Sequence, residues 1–214
     1  MTGRTASCPN CGAPITFRWS AAVQTTCDYC RAILVRHDVA LERVGEVADL
    51  PPDASPVQRG TTGAWRGRAF EVVGRIRYAY QRGRWSEWYL RFADGRDGWL
   101  SDAQLEWAVT EHVPLPASLP SLDELYPGRV VSLGDEPFTV TTVTMARYLG
   151  VEGELPFTTW HRDVSPFVDL RTSSARFATL DGSERPPLLF VGERLPYAAL
   201  ALRDVRAFEG WPAP

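Results

Sequence analysis

The chain has 214 residues, 44% of them hydrophobic and 23% charged, with a net charge of −3. That length suits one large or two small cored domains, and so small a net charge singles out no polyanionic or polycationic partner. No apolar run approaches the ~18–20 residues that a bilayer span requires, and the opening MTGRTASCPN lacks the apolar core of a secretory leader, so a cytoplasmic location is expected.

Residues 8–30 read CPNCGAPITFRWSAAVQTTCDYC. Cys8 with Cys11, and Cys27 with Cys30, form two C-x-x-C units at a spacing that wraps one tetrahedral Zn²⁺ with four thiolates. Each unit turns tightly enough to aim two sulfurs at one point, and Gly12 follows the first where positive φ is often needed. Ile15, Phe17 and Trp19 alternate as a short strand between the units, and Ile33-Leu34-Val35 makes a return strand. The expectation is a zinc ribbon holding one structural ion, since a closed four-thiolate site leaves no open coordination position for catalysis. A thioredoxin-like role is disfavoured because no βαβ pattern surrounds either pair. Trp19 and Tyr29 are candidates for docking a partner.

A loosely alternating strand over residues 39–47 leads into Leu50-Pro51-Pro52-Asp53-Ala54-Ser55-Pro56, a connector whose prolines exclude a regular helix. Residues 67–100 then alternate aromatic and β-branched residues with arginines. The breaks at Gln81-Arg82-Gly83-Arg84 and Ala93-Asp94-Gly95 have the length and composition of hairpin turns. Gly74 interrupts the first strand as a bulge or a close approach would. Ile76, Tyr78 and Tyr80 share one face, with Arg75 and Arg77 on the other. Trp88, Leu90 and Phe92 alternate with Glu87, Tyr89 and Arg91, and residues 105–113 supply a further strand.

Four prolines between His112 and Pro127 mark a linker, with Ser121 placed to cap a helical turn over Leu122-Asp123-Glu124-Leu125. Beyond it, Phe138-Thr139-Val140-Thr141-Thr142-Val143 answers Phe70-Glu71-Val72-Val73-Gly74-Arg75. Phe167-Val168-Asp169-Leu170-Arg171 answers Trp88-Tyr89-Leu90-Arg91, and Phe177-Ala178-Thr179-Leu180-Asp181 continues it. The segment Gly150-Val151-Glu152-Gly153-Glu154-Leu155-Pro156 has no counterpart in the first half. Glu152 and Glu154 lie in it as a carboxylate pair, in a stretch that reads as a turn.

Trp85, Glu87 and Trp88 form the most unusual cluster. Burial between aromatics would raise the Glu87 pKa and make it a candidate acid; the commoner arrangement pairs it across strands with Arg75, Arg77 or Arg84. Asp169, inside an apolar strand, needs a partner, for which Arg171 or Arg176 would serve. The arginine–aromatic interleaving of residues 59–99 is also the pattern of a nucleic-acid face, yet all the basic residues of this chain are arginine, so alternation alone puts arginine on every solvent-facing strand position. His37, His112 and His161 stand far apart, and none has metal-ligand or nucleophile-base spacing.

The runs Ser55-Pro56-Val57-Gln58-Arg59-Gly60, Phe70-Glu71-Val72-Val73-Gly74-Arg75-Ile76 and Trp85-Ser86-Glu87-Trp88-Tyr89-Leu90 resemble an uncharacterised bacterial family, domain of unknown function 4178. The match continues through Asp94-Gly95, Trp99-Leu100, Glu152-Gly153-Glu154-Leu155-Pro156 and the strands around Asp169 and Thr179. The resemblance implies a bacterial cytosolic protein with a ribbon and paired β modules. It carries no activity and no catalytic residue.

The expected fold is mainly β: a four-cysteine zinc ribbon (residues 1–36), then two small antiparallel β-barrel or sheet modules related as a pseudo-repeat. The first spans 37–113 and the second 128–207; a proline-rich linker (114–127) joins them, they are expected to pack face to face, and 208–214 form a tail. The function expected first is a non-catalytic adaptor that binds another protein through Arg75, Arg77, Trp85, Glu87 and Trp88. The rival is nucleic-acid binding through residues 59–99. An enzyme comes third, and would require Glu87, Asp169 and a histidine to converge in one pocket.

Overall fold

The computed structural model describes residues 4–19, 21–37, 40–46, 55–104, 106–158 and 163–207. Outside these lie most of the proline connector, Leu105, His161 and the tail, together with the ends of the 39–47 strand. Among the described residues there is no α-helix, only two short 3-10 turns at Leu122–Glu124 and Tyr197–Leu200. The turn at Leu122–Glu124 is entered through Ser121, whose backbone N–H and hydroxyl both bond to the Glu124 carboxylate.

The N-terminal unit contains β1 (Arg4–Ser7), β2 (Pro14–Phe17), β3 (Gln24–Thr26), β4 (Ala32–His37) and β5 (Ala40–Glu46). β1 pairs with β2, whereas β4 sits between β3 and β5 in a separate sheet. The expected return strand therefore does not pair with the Ile15–Phe17 strand, and β5, expected as a strand leading from the ribbon to the body, extends the ribbon's own sheet.

Ten further strands form one sheet: β6 (Thr62–Trp65), β7 (Arg68–Tyr80), β8 (Gly83–Phe92), β9 (Asp97–Ala103), β10 (Glu106–Val113), β11 (Val130–Leu133), β12 (Glu136–Gly153), β13 (Ser165–Arg171), β14 (Arg176–Asp181) and β15 (Leu188–Leu195). β6 to β10 make a first repeat and β11 to β15 a second, and their registers coincide. Thr62 opposite Glu71 through Trp65 opposite Arg68 becomes Val130 opposite Thr139 through Leu133 opposite Glu136. Leu90 opposite Gly98 and Trp88 opposite Leu100 become Leu170 opposite Ala178 and Val168 opposite Leu180. The bulge between Val72 and Gly74 recurs between Val140 and Thr142. Even the loop bonds repeat: the Gly60 N–H donates to the Val72 carbonyl, and the Gly128 N–H to the Val140 carbonyl, each at 2.8 Å.

Face-to-face packing of the two halves was expected; instead they join edge to edge at two seams. β10 pairs with β15, and the C-terminal half of β7 pairs with that of β12. Tyr80 opposite Ala146 and Tyr78 opposite Tyr148 exchange under the repeat correspondence, so a local two-fold passes through Ala79 and Arg147. Val109 opposite Glu193 and Val113 opposite Leu189 exchange likewise about Glu111 and Val191. With both seams made, β7, β8, β9, β10, β15, β14, β13 and β12 close into an antiparallel barrel.

Both faces of this wall are covered. The outer face of the first repeat buries Phe70, Trp88, Leu90, Phe92 and Leu100 beneath Val57 and Leu200. That of the second buries Phe138, Val140, Val168, Leu170 and Leu180 beneath Leu125. At about 25 cal/mol per Å² of apolar surface removed from water, each cluster supplies a sizeable driving force for its own half. The inner face lines the barrel.

Candidate metal centre and barrel cavity

The ribbon places four sulfurs together. Cys8, Cys11, Cys27 and Cys30 present Sγ atoms that all lie within 4.8 Å of one another. The two C-x-x-C turns are built alike. Gly12 N–H donates to the Cys8 carbonyl and Cys8 N–H to Ala13; Arg31 N–H donates to Cys27 and Cys27 N–H to Ala32. Gly12 and Arg31, each following the second cysteine of its turn, adopt positive φ of 78° and 61°. The Sγ–Sγ distances of 3.7 Å for Cys8–Cys30 and Cys11–Cys27 match the ~3.8 Å edge of a tetrahedron with metal–sulfur bonds of ~2.3 Å. The Asn10 side chain and the Ala32 backbone lower the Cys30 thiol to about 6, whereas Cys11, despite a backbone bond at Ala13, is raised to about 12 by burial and by the neighbouring sulfurs. The four cysteines can therefore hold a metal ion.

The ribbon is fastened to the barrel through the segment that the first repeat lacks. Glu154, buried, accepts the backbone N–H groups of Arg18 and Trp19 at 2.8 and 2.9 Å. Burial raises its pKa, and those two bonds oppose the rise. Leu155 exchanges backbone bonds with Gln24, and Gly153 N–H donates to Thr26 Oγ1 at 2.9 Å. Arg59 pairs with Asp28 at 2.6 Å. Trp19 lies 5.2 Å from Tyr89 in a cluster with Ile33, Ile76, Val151 and Leu155. Trp19 is thus an internal contact, while Tyr29 remains 75% exposed. The expected turn at Glu152 and Glu154 is instead the end of β12 and the dock for the ribbon. Gly74 allows it: a Cβ there would lie 2.0 Å from the Glu154 carbonyl oxygen.

Inside the barrel lies a cavity of about 1530 Å³ lined from all eight strands of the closed wall. An eight-stranded barrel is ordinarily just wide enough for side chains to fill or for one small ligand, so this interior has room to spare. At its centre Trp85 stacks on Tyr78 at 4.9 Å and meets Phe167 and Tyr80 edge-on. Glu87 faces the same space, accepting from Trp85 Nε1 at 2.9 Å. Burial pushes its pKa up to about 8; bonds to Ser101 and Trp85 pull down, and the charges of Asp169 and Asp181 add to the rise. Glu87 keeps some accessible surface because it faces the cavity, not bulk water. Burial likewise raises Asp169, bonded to Thr179, and Asp181, bonded to the Ser183 N–H at 2.8 Å.

The five residues expected to bind a partner divide between two faces. Trp85 and Glu87 line the cavity. Arg75, Arg77 and Trp88 are 5%, 3% and 1% exposed, so a partner cannot reach them on the folded surface. Arg75 bonds to Ser86 Oγ at 2.7 Å, lies 4.2 Å over the Trp88 ring and faces Glu152 at 3.8 Å. The expected Glu87–arginine pair does not form, because the register sets Glu87 opposite Ile76 and Ser101, and Arg75 opposite Trp88. Asp169 is served chiefly by Thr179; Arg171 turns to Glu106 and Arg176 to Glu136. His37 pairs with Glu42 on the surface, whereas His112 lines the cavity with its ring against Phe190. Glu87, Asp169 and His112 thus share one cavity, but among the described residues no hydrogen bond joins the histidine to either acid. Asp181, Tyr78 and Phe167 were not singled out as site residues; the signal was period-two alternation, which puts Tyr78 with Ile76 and Tyr80, Phe167 with Asp169, and Asp181 with Thr179 on one face of their strands.

These features define a β-barrel protein with an internal cavity and an N-terminal four-cysteine cluster that can hold a metal ion. A family model described as Domain of unknown function (DUF4178) matches residues 58–197, from just after the proline connector to just past β15, and the chain belongs to that family. Searches of curated proteins and of solved structures returned no match. No helix among the described residues is long and apolar enough to cross a membrane.

Proposed function

We propose that the protein is a non-catalytic cytoplasmic adaptor, in which one structural Zn²⁺ holds the ribbon and the barrel receives part of a partner protein. In this reading the ribbon expected over residues 1–36 extends through β5 to Glu46, the modules expected over 37–113 and 128–207 are the two halves of the barrel, and 114–127 link them. The observation that carries it is the unfilled interior. The fold keeps about 1530 Å³ open beside stacked aromatics and acids whose pKa values burial raises, although closing that space would gain packing energy. Zinc is the metal that four thiolates at tetrahedral spacing suit best. The rival nucleic-acid reading loses its two central arginines to burial.

Affinity capture from native bacterial lysate, with and without nuclease, tests the reading. The expected result is a protein partner that survives nuclease and is lost when Trp85 and Phe167 are both replaced by alanine in a chain that still binds its metal. Retention that disappears with nuclease overturns it.

A further inference from the structure

The pseudo-two-fold exposes an asymmetry in how the barrel wall is closed. In the first repeat, β7 from Gly74 to Arg77 is flanked on one side by β8 and on the other by Gly153 to Gly150 of β12. The repeat correspondence carries those four residues onto Thr142, Val143, Thr144 and Met145. On one side they pair with β13. On the other they have no strand partner among the described residues, because β7 turns back at Gln81-Arg82 just after its last pair, Tyr80 with Ala146. The second repeat lends a strand to the first, and the first returns none.

This edge is unguarded. Residues 138–146 read FTVTTVTMA, with no charge and no proline, the two devices that most often blunt an exposed strand edge. Val143 and Met145 are 37% and 53% exposed. Thr142, Val143, Thr144 and Met145 also border the barrel cavity, as do Arg82 and Arg84 of the β7–β8 hairpin, whose first strand makes its last pair with β12 at Tyr80 and Ala146. Both arginines are exposed and make no ion pair among the described residues.

We propose that this gap is a strand-addition site: an extended segment of a partner polypeptide pairs antiparallel with residues 142–145, as residues 150–153 pair with 74–77. Its alternate side chains are apolar, packing on Val143 and Met145, and at least one carboxylate faces Arg82 and Arg84. Main-chain bonds supply affinity in this mode and side-chain alternation supplies specificity. A second copy of this chain fits less well, since each copy would bring its own arginine-bearing hairpin tip against the other's. The proposal rests on the adaptor reading and deepens it, naming the partner's conformation and composition.

The test is selection of ten-residue peptides from a random displayed library against the full zinc-loaded chain, followed by backbone amide exchange of the complex. Selected peptides should alternate apolar and acidic residues and slow exchange at residues 142–145. Replacing both Val143 and Met145 by lysine, at surface positions that leave the fold intact, should weaken binding by at least about tenfold, because a charge in the path of an added strand must be desolvated. Arg82→Ala with Arg84→Ala should weaken it and remove its salt dependence, while Val130→Lys on the outer edge of β11 should leave it unchanged. Three results overturn the proposal: no peptide recovered, peptides indifferent to the lysine pair, or a dimer of the free chain that the lysine pair dissociates. Peptides that slow exchange around Trp85 and Phe167 and not at residues 142–145 would overturn strand addition while leaving the adaptor reading intact.

Discussion

Replacing Glu87 by glutamine should make the protein more stable in mild alkali. The native carboxyl sits at about 8 because burial and the nearby charges of Asp169 and Asp181 disfavour its ionised form, whereas in the unfolded chain a glutamate titrates near ~4.3. A raised native pKa contributes stability that is complete below the unfolded value and is lost as pH rises through the native one. Between about pH 4.3 and pH 8 the native state holds a proton that the unfolded state has released, costing about 1.4 kcal/mol per unit and ~5 kcal/mol across the window. Glutamine keeps an acceptor for Trp85 Nε1 and never ionises, so it escapes this loss. Urea unfolding of both chains at several pH values, with zinc in constant excess, reads the difference. Contributions from the cysteines and from other carboxyls cancel between the two. The chains should be similar near pH 4, with the variant ahead by about 2 kcal/mol near pH 6 and by about 5 kcal/mol near pH 8.5. Parallel stability curves above pH 6 would refute a buried, uncompensated Glu87.

Cys8→Ser should abolish stoichiometric metal binding and unfold the ribbon while the barrel keeps its β-sheet circular dichroism; a variant retaining one ion per chain by elemental analysis would contradict the four-thiolate site. Gly74→Ala drives a Cβ to 2.0 Å from the Glu154 carbonyl and should cost about 3 kcal/mol, the upper end for overpacking, since backbone must move on both sides; thermal unfolding measures it. Glu154→Ala leaves the Arg18 and Trp19 N–H groups without their acceptor and should cost about 1–3 kcal/mol, seen as faster amide exchange at those two residues and as a red shift of Trp19 emission as it leaves Tyr89.

The convergence of the four cysteines was legible because a C-x-x-C pair confines its sulfurs whatever the remainder of the fold does. So was the repeat, because Phe70 to Arg75 and Phe138 to Val143 keep one pattern, and the registers set them at equivalent positions. The destination of the arginines was not. Alternation assigns residues to two faces but says nothing of which face meets water, and here both faces are covered. Arg75 and Arg77 lie with Trp88 on the face packed under the outer cluster, and Glu87 lies with Ile76 on the lumen face. The bulge between Val72 and Gly74 sets that pairing, so the expected Glu87–arginine pair fails by one residue of register.

Closure of the barrel was illegible for a related reason. It depends on two seams between strands that lie far apart in sequence, and their pairing has no local signature. Yet the segment that breaks the repeat explains most of what is distinctive in the molecule. Residues 150–155 complete the β7 edge, supply Glu154 to the ribbon's backbone and bridge to Gln24. A duplicated pair of halves related by a two-fold would have either two such segments or none, and hence two sealed walls or two open ones. With one segment the first half is sealed and carries the cysteine cluster, and the second keeps an apolar strand edge beside a cavity lined by aromatics, acids and arginines. That inequality, more than the β architecture itself, is the physical reason to look for a partner on the second half.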